Sequence, residues 1–315
     1  MMLGAMVAMA LCTADAGADA GTWVLRTKLG PGTAARERLL TELTRPDGGV
    51  GEQPLSREKA EAILDDERAQ LVYVDKTVSI VAPSMMTRHR QDHLDLMKLF
   101  LAPERLKAGA EFAVKHAPLL ARVEAATKVD REVIIGILMW ESQLGTITGD
   151  YRAFNVFTSQ AFFIDEANTL ALAKKSERGL VTDEAQARRV ETIRARATKN
   201  LIALLRQCQA RGIDALNVRG SWAGALGFPQ FMPASLQWAE DGNGDGVIDL
   251  FTFDDSIASI GRYLQAHGFS ANRQKAVWGY NHEDAYVQGV LAFADALAVT
   301  LGRRGDAGVA DAVAR

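Results

Sequence analysis

Apolar residues recur at spacings of three and four along most of the chain, which is the pattern of amphipathic helices. The segments that show it most clearly are 56–64, 89–123, 183–212, 256–267 and 284–301. Residues 71–83 are rich in β-prone side chains, although a short helix or extended chain would also suit them. Gly and Pro residues predict a loop over 45–54. The pattern therefore predicts a mainly α protein.

A further predicted helix, 130–145, is apolar on nearly all sides. Asp130 suits the N-cap, and Gly145 suits the end of the helix. A helix that is apolar all round is expected to lie inside a core. Glu141 comes one turn after Ile137, so it extends the apolar stripe rather than a solvent-facing side.

The position of Glu141 suggests acid chemistry. Burial disfavours the charged carboxylate and raises its pKa, and the negative end of the helix dipole acts in the same direction. A carboxyl group that stays protonated near neutral pH can serve as a general acid. Taken alone, a partly exposed glutamate that ends a helix is the more common case. Further motifs have to decide between the two.

Composition excludes some classes of function. The net charge is -3 and the pI about 6.0, so the strongly basic surface of a nucleic-acid-binding protein is not expected. The sequence contains no apolar stretch of about 20 residues, so it predicts no membrane-spanning helix. The two cysteines, Cys12 and Cys208, are too few for a disulfide framework. Cys208 follows Leu201, Leu204 and Leu205 on one helix face, which predicts a buried thiol.

Residues 1–20 are predicted to be a signal peptide. A short apolar run, Met2–Leu11, precedes Ala18-Asp19-Ala20, which has the small residues of a cleavage site. No Lys or Arg precedes the run, so an apolar N-terminus without an export function is the alternative. Leu11 stands directly before Cys12, where a lipoprotein signal has a small residue. Export without a lipid anchor is therefore the preferred interpretation.

Three motifs occur in a fixed order along the chain. Glu141-Ser142-Gln143-Leu144-Gly145 fits the pattern E-S-x-x-G, and residues 220–233 read GSWAGALGFPQFMP. Gly279-Tyr280-Asn281 follows near the end. Together these motifs resemble the B-type lytic murein transglycosylases of the lysozyme-like superfamily. The resemblance extends from about Ser56 to Leu301 and is strongest over 220–268.

The resemblance implies a fold and a division of the chain. A lysozyme-like catalytic domain would occupy residues 111–302, with an N-terminal α-helical region over 21–110 packed on its core. Residues 303–315, rich in Gly, Ala and Asp, are predicted to be a flexible tail.

It also implies a reaction and the residues that carry it. Glu141 would protonate the glycosidic oxygen between N-acetylmuramic acid and N-acetylglucosamine, and would then act as a base while the muramic 6-hydroxyl attacks the anomeric carbon. The product would be a 1,6-anhydro sugar. The residues implied in substrate binding are Ser221, Gln230, Tyr263, Tyr280, Asn281 and Tyr286. Sugar faces stack on aromatic rings and sugar hydroxyls pair with amides, although a buried tyrosine is more often part of a core.

Two other functions fit the same fold. A hydrolytic muramidase needs a second carboxylate. Asp150, Asp165 and Glu166 are available in the sequence, but surface charges are the better interpretation of all three. A non-catalytic wall-binding protein would have no need for the acid. The chain also departs from the family at Leu144 and Pro229 and in the insert 154–167, which bears on subsite preference more than on the chemistry.

A metal site is predicted in the loop 241–255. DGNGDGVID, residues 241–249, places oxygen ligands and a glycine at the positions of an EF-hand loop. The usual acidic residue at position 12 is replaced by Thr252. The resemblance supplies Asp255 instead, which completes a predicted set for one structural Ca²⁺ of Asp241, Asn243, Asp245, Val247 and Asp255. An Asp- and Gly-rich turn without metal is the alternative, and a calcium sensor would need a paired second loop.

The remaining predictions concern cofactors, ligands, partner proteins and cellular location. No organic cofactor or nucleic acid is expected, and the predicted ligand is the glycan strands of peptidoglycan. Proteins of cell-wall synthesis or division are conceivable partners of a monomer in the periplasm or cell envelope.

Overall fold

The computed structural model describes residues 23–24, 26–46, 53–72, 74–87 and 99–303. The predicted signal peptide lies outside these residues, as do parts of the predicted helix 89–123, the loop 45–54 and the tail 303–315. The α-helices are α1 (Arg26–Leu29), α2 (Ala34–Thr44), α3 (Arg57–Asp65), α4 (Val74–Val81), α5 (Pro103–Lys115), α6 (Ala117–Thr127), α7 (Arg131–Ser142), α8 (Ala153–Phe162), α9 (Ile164–Ala173), α10 (Asp183–Ala210), α11 (Phe253–Ala266), α12 (Arg273–Tyr280) and α13 (Asp284–Thr300). The mainly α fold is confirmed.

Sheet structure among the described residues consists of short pairs. β1 (Trp23–Val24) pairs antiparallel with β2 (Leu71–Val72), and β3 (Tyr151–Arg152) pairs antiparallel with β4 (Arg219–Gly220). Of the β-prone stretch 71–83, only its first two residues form a strand, and most of the rest is α4. Tertiary packing of the apolar side of α4 outweighs the weak strand preference of its Val and Thr residues.

The core consists of two hydrophobic clusters. In the first, α2–α4 pack with α8–α10, and in the second, α5–α7 pack with α11–α13. The division predicted after residue 110 therefore falls inside α5. Buried apolar side chains of residues 153–216 belong to the first cluster, together with those of the N-terminal helices. Helical periodicity shows which positions are buried, but not which neighbouring helix buries them.

The buried helix predicted over 130–145 is α7, in which every residue from Glu132 to Ser142 is buried. The Asp130 side chain makes no capping hydrogen bond and lies 3.5 Å from Arg273 instead. The helix ends at Ser142, earlier than predicted, because Gln143 is left-handed with φ 48°. The Ser142 hydroxyl then accepts a hydrogen bond from the amide of Gly145 at 3.0 Å.

Two further expectations can be compared with the structure. Cys208 is 4% exposed, so the predicted buried thiol is confirmed, and burial raises its pKa to about 12. Among the described residues, no helix combines the length and apolar character needed to cross a membrane.

Candidate active site

Glu141 lies in the last turn of α7 and is 8% exposed. Burial raises the pKa of its carboxyl to about 8, because the charged form would lose its hydration. The nearby hydroxyl of Tyr286 acts weakly in the opposite direction. The carboxyl therefore stays protonated at neutral pH, as a general acid requires.

Two buried polar atoms at this point make no well-formed hydrogen bond in the described chain, although the two residues that carry them lie close enough to interact. They are Oε1 of Glu141 and the hydroxyl oxygen of Tyr286. Buried polar atoms without partners are uncommon in folded proteins and call for an explanation, of which a catalytic role is one. A carboxyl group and a neighbouring phenol, each with bonding capacity left over, could meet the oxygen atoms of a bound sugar.

Close packing of α13 on α7 brings Tyr286 to the carboxyl. A side chain at Gly289 would place its Cβ 2.2 Å from the Trp140 ring. The Trp140 and Tyr286 rings meet edge to face, with centroids 5.3 Å apart. This role of Trp140 was not predicted from the sequence, where its signal is an aromatic residue directly before the acid.

The hydroxyls of the other two predicted tyrosines, Tyr263 and Tyr280, donate hydrogen bonds to backbone carbonyls. The hydroxyl of Tyr263 donates to the Gly279 carbonyl at 2.7 Å, and that of Tyr280 donates to the Pro229 carbonyl at 2.6 Å. Burial raises the pKa of Tyr263 to about 12 and that of Tyr280 well above its usual value. Tyr280 stacks parallel to Tyr286 at 6.3 Å and so lines the surroundings of the acid. Sugar stacking by these rings stays a prediction.

A glycine-rich loop carries Ser221 and Gln230, and β3 and β4 hold it beside the segment that follows Glu141. The hydroxyl of Ser221 accepts a hydrogen bond from the Ala225 amide at 3.1 Å and makes none with Glu141. Gln230 adopts φ 51°, and its side-chain amide donates a hydrogen bond to the Gly227 carbonyl at 2.8 Å. Both side chains are buried, and their contacts with sugar stay predictions. Asn281 is likewise buried and stays a predicted ligand.

Two glycines explain how this loop fits. Gly224 has φ 92°, and a Cβ there would lie 2.3 Å from the Phe157 ring. Gly227 has φ 67°, and its Cβ would lie 2.3 Å from the Leu250 carbonyl. Both positions need a left-handed backbone and close packing at once, which only glycine supplies without strain.

No second carboxylate accompanies the acid in the described chain. The side chains of Asp150 and Asp165 are 92% and 67% exposed, and Glu166 pairs with Lys28 at 2.6 Å. None of them contributes to the pKa shift of Glu141. They are surface charges, as the sequence analysis preferred.

In the predicted metal loop, backbone amides donate hydrogen bonds to the carboxylates of Asp241 and Asp255. The Asp241 carboxylate accepts hydrogen bonds from the amides of Gly244 and Gly246, which lower its pKa. Asp255, 1% exposed, accepts from the amides of Gly242 at 2.8 Å and Asp249 at 2.6 Å.

The side chains of Asn243 and Asp245 pair with each other, and Val247 is exposed. In the described residues, no three acidic, His or Cys side chains come together closely enough to hold an ion. The oxygen-only donor set is still of the type that Ca²⁺ prefers. The EF-hand geometry and the ligand set therefore stay predictions.

Replacing Tyr286 with Phe is expected to lower kcat/KM about tenfold, the usual worth of a hydrogen bond to a charged group. The Tyr286 hydroxyl lowers the pKa of Glu141, so its removal should raise that pKa further. The alkaline limb of the pH–rate profile should then move to higher pH. Tyr280→Phe is the control, because its hydroxyl donates to Pro229 instead. An unmoved limb in Tyr286→Phe would contradict the assigned contact.

Comparison with known proteins decides the family. A family model described as the transglycosylase SLT domain matches residues 50–278, which is most of the chain. The chain belongs to this family. The resemblance to lytic murein transglycosylases is thereby confirmed.

The chain is also similar to the membrane-bound lytic murein transglycosylase B of Escherichia coli (strain K12). The two are 29% identical over 189 residues, which is 57% of this chain and 43% of that protein. The chain thus matches less than half the length of this relative.

Solved structures of transglycosylases share the fold. The soluble lytic transglycosylase SltB1 from Pseudomonas aeruginosa is 20% identical with a TM-score of 0.61, over 84% of this chain and 98% of that one. Escherichia coli Slt35 in complex with calcium is 20% identical with a TM-score of 0.58, over 85% and 93%. Pseudomonas aeruginosa SltB3, solved with NAG-anhNAM-pentapeptide, is 20% identical with a TM-score of 0.53, over 83% and 77%. These likenesses confirm the lysozyme-like fold.

Proposed function

We propose that this protein is a peptidoglycan lytic transglycosylase that cleaves the β-1,4 bond between N-acetylmuramic acid and N-acetylglucosamine without water. The observation that carries the proposal is Glu141, a carboxyl buried at the end of α7, with a pKa raised to about 8 and no second carboxylate beside it among the described residues. Membership of the transglycosylase SLT domain family supports the substrate class.

A single carboxyl group can serve both halves of this reaction. The protonated Glu141 first donates its proton to the glycosidic oxygen, the bond from that oxygen to the anomeric carbon breaks, and N-acetylglucosamine leaves as the alcohol. The resulting carboxylate then takes the proton of the muramic 6-hydroxyl, whose oxygen bonds to the anomeric carbon. Glu141 ends protonated again, so no water is consumed.

The environment of Glu141 supports both steps. A low-dielectric setting keeps the carboxyl protonated at the start and makes the carboxylate a strong base afterwards. The neighbouring hydroxyl of Tyr286 could stabilise that carboxylate once it forms. Ser221, Gln230 and Asn281 are proposed to contact the sugar around the cleaved bond, and Tyr263 and Tyr280 to shape the wall of the site.

The test is the end group released from purified peptidoglycan, identified by mass spectrometry. The wild-type protein is expected to release 1,6-anhydromuramyl products. A reducing muramic acid end in their place would instead establish a hydrolytic muramidase and require a second carboxylate. No product at all would favour a wall-binding protein without catalytic activity.

The loop 241–255 is proposed to bind one structural Ca²⁺ through Asp241, Asn243, Asp245, Asp255 and the carbonyl of Val247. Each carboxylate oxygen has two lone pairs, so an amide hydrogen bond leaves room for a cation. Asp255 ties both ends of the loop together and is buried at the start of α11. The ion would brace the loop beside the active site and take no part in the chemistry.

Calcium at about 100 times its Kd should stabilise the folded protein by about 3 kcal/mol. The measurement is the Tm with Ca²⁺, with Mg²⁺ and with a chelator. Asp245→Ala should remove the calcium shift, whereas Asp254→Asn, outside the predicted ligand set, should keep it. A shift of equal size with Mg²⁺, or none with Ca²⁺, would rule out the proposed site.

We further propose that the protein acts in the periplasm or cell envelope, where its substrate lies, as a monomer and without an organic cofactor. Glycan strands of peptidoglycan are the proposed ligand. Proteins of cell-wall synthesis or division are proposed as the class of partner. The signal peptide over 1–20, the helical region over 21–110, the catalytic domain over 111–302 and the tail over 303–315 remain part of the same proposal.

A further inference from the structure

A cavity of about 630 Å³ lies outside the candidate active site. Neither Glu141 nor any of the predicted sugar-binding residues lines it. Its walls come from the loop after Glu141, the C-terminal end of α10, the segment 217–219 and residues 248–251. The volume is in the range of small-molecule sites in proteins.

The inner wall combines apolar surface with one unbalanced charge. Leu226, Leu236 and Leu250 supply apolar area, and Arg211 reaches the cavity from the end of α10. Arg211 donates hydrogen bonds to the Leu236 carbonyl at 3.0 Å and to the side chain of Gln207. Within the described part of the chain, no carboxylate forms an ion pair with it. A half-buried guanidinium without a counter-ion favours an anionic ligand.

The mouth of the cavity has a different character. Asp150 and Asp249 line it and are exposed, and Asp150 lies 3.5 Å from Arg219. Ile213 and Phe251, also in the lining, are 43% and 40% exposed. The arrangement offers a site for a carboxylate inside, apolar contacts along the wall and acceptors for an ammonium group at the rim. The side chains of Gln207 and Asn217 add partners for peptide amides.

The cavity adjoins the loop that carries the predicted sugar ligands. The Thr148 carbonyl, in the cavity wall, accepts a hydrogen bond from the Gln230 side chain at 3.4 Å. A Cβ on Gly149 would lie 2.6 Å from the backbone of Ser221. A ligand in the cavity would therefore be separated from the active site by one layer of chain.

We propose that this cavity binds a stem peptide of peptidoglycan, with a peptide carboxylate on Arg211 and its methyl groups against the leucines. The proposal rests on the proposed function, because that function supplies the substrate class. Stem peptides carry carboxylates, small apolar side chains and an ammonium group, which match the three regions of the cavity. The site would hold the enzyme on peptide-bearing wall, apart from the point of cleavage.

The experiment measures binding of the free tetrapeptide L-Ala–γ-D-Glu–diaminopimelate–D-Ala by titration calorimetry. All variants are built on Glu141→Gln, so that no turnover is needed. Arg211→Gln is expected to raise the Kd at least tenfold, and Ile213→Trp, which narrows the mouth and keeps the charge, should do the same. Arg188→Gln, an exposed arginine on α10, is the matched control and should leave the Kd unchanged.

Two results would overturn the proposal. One is that the tetrapeptide does not bind to the parent protein. The other is that it binds equally well to the Arg188→Gln, Arg211→Gln and Ile213→Trp proteins. Neither result depends on cleavage, which the end-group assay of the wild-type protein tests separately. A peptide that binds as expected to a protein that releases no anhydro ends would keep the cavity and reject the proposed function.

Discussion

Glu141→Gln is expected to lower the release of 1,6-anhydromuramyl ends by roughly 10³-fold or more, the scale of a general acid–base contribution. The carboxyl group is proposed both to give a proton to the leaving oxygen and to take one from the attacking hydroxyl. Glutamine fills the same space but can do neither. Since no second carboxylate lies beside it in the described chain, no other residue can take over either role.

The measurement is the initial rate of product release from purified peptidoglycan. Asp165→Asn is the matched control, since the Asp165 side chain is 67% exposed and pairs with Arg194 on the surface. Its rate should stay within about twofold of wild type, because surface ion pairs contribute little. A Glu141→Gln protein that keeps substantial activity would remove Glu141 from the mechanism.

The same substitution is expected to stabilise the protein at neutral pH. The pKa of Glu141 is about 8 in the folded chain against 4.5 as its ordinary value. Its stabilising contribution is therefore fully present below pH 4.5 and is lost as the pH rises through 8. Glutamine carries no charge at any pH and escapes this loss. At pH 7 the gain in the free energy of unfolding should be about 3 kcal/mol.

Urea unfolding at pH 4 and pH 7 measures this effect. The two proteins should be equally stable at pH 4, and the difference should appear between pH 5 and 8. Glu111→Gln is the control, because the Glu111 side chain is 70% exposed, and its stability should match wild type at both pH values. A Glu141→Gln protein no more stable than wild type at pH 7 would show that the carboxyl is hydrated.

The loss of activity and the gain in stability expected for Glu141→Gln have one cause, the burial of the carboxyl group. A protein that keeps a carboxyl group buried for chemistry gives up stability at the same position, as active sites often do. A purely structural glutamate would show a loss of stability on substitution and no selective loss of product. The pair of measurements therefore separates a catalytic role from a structural one.

Local features of the chain were sufficient to predict the long helices α7, α10, α11 and α13 and the acid, but not α1, α2, α4, α8, α9 or α12. The apolar residues of 130–145 leave α7 no solvent-facing side, and this pattern together with the motifs at 141–145 and 220–233 predicted a buried Glu141. The glycines of 220–233 are part of the family motif, and their structural role is close packing. Gly224 and Gly227 do meet Phe157 and Leu250 at distances that exclude a side chain.

Other features depended on contacts between distant parts of the chain. Tyr286 reaches Glu141 only because Gly289 lets α13 approach Trp140. The insert after Glu141 packs with the N-terminal helices, a choice that its own periodicity does not contain. The cavity around Arg211 likewise combines segments 148–150, 207–219 and 248–251.

The sequence by itself thus determined the mainly α class, the buried acid and the family motifs, because these depend on spacing within single segments. Only the tertiary structure decided the partners of each buried face, the early end of α7 at Ser142 and the cavity beside the active site. These depend on which surfaces meet, and the free energy of that choice is shared among residues far apart in the chain.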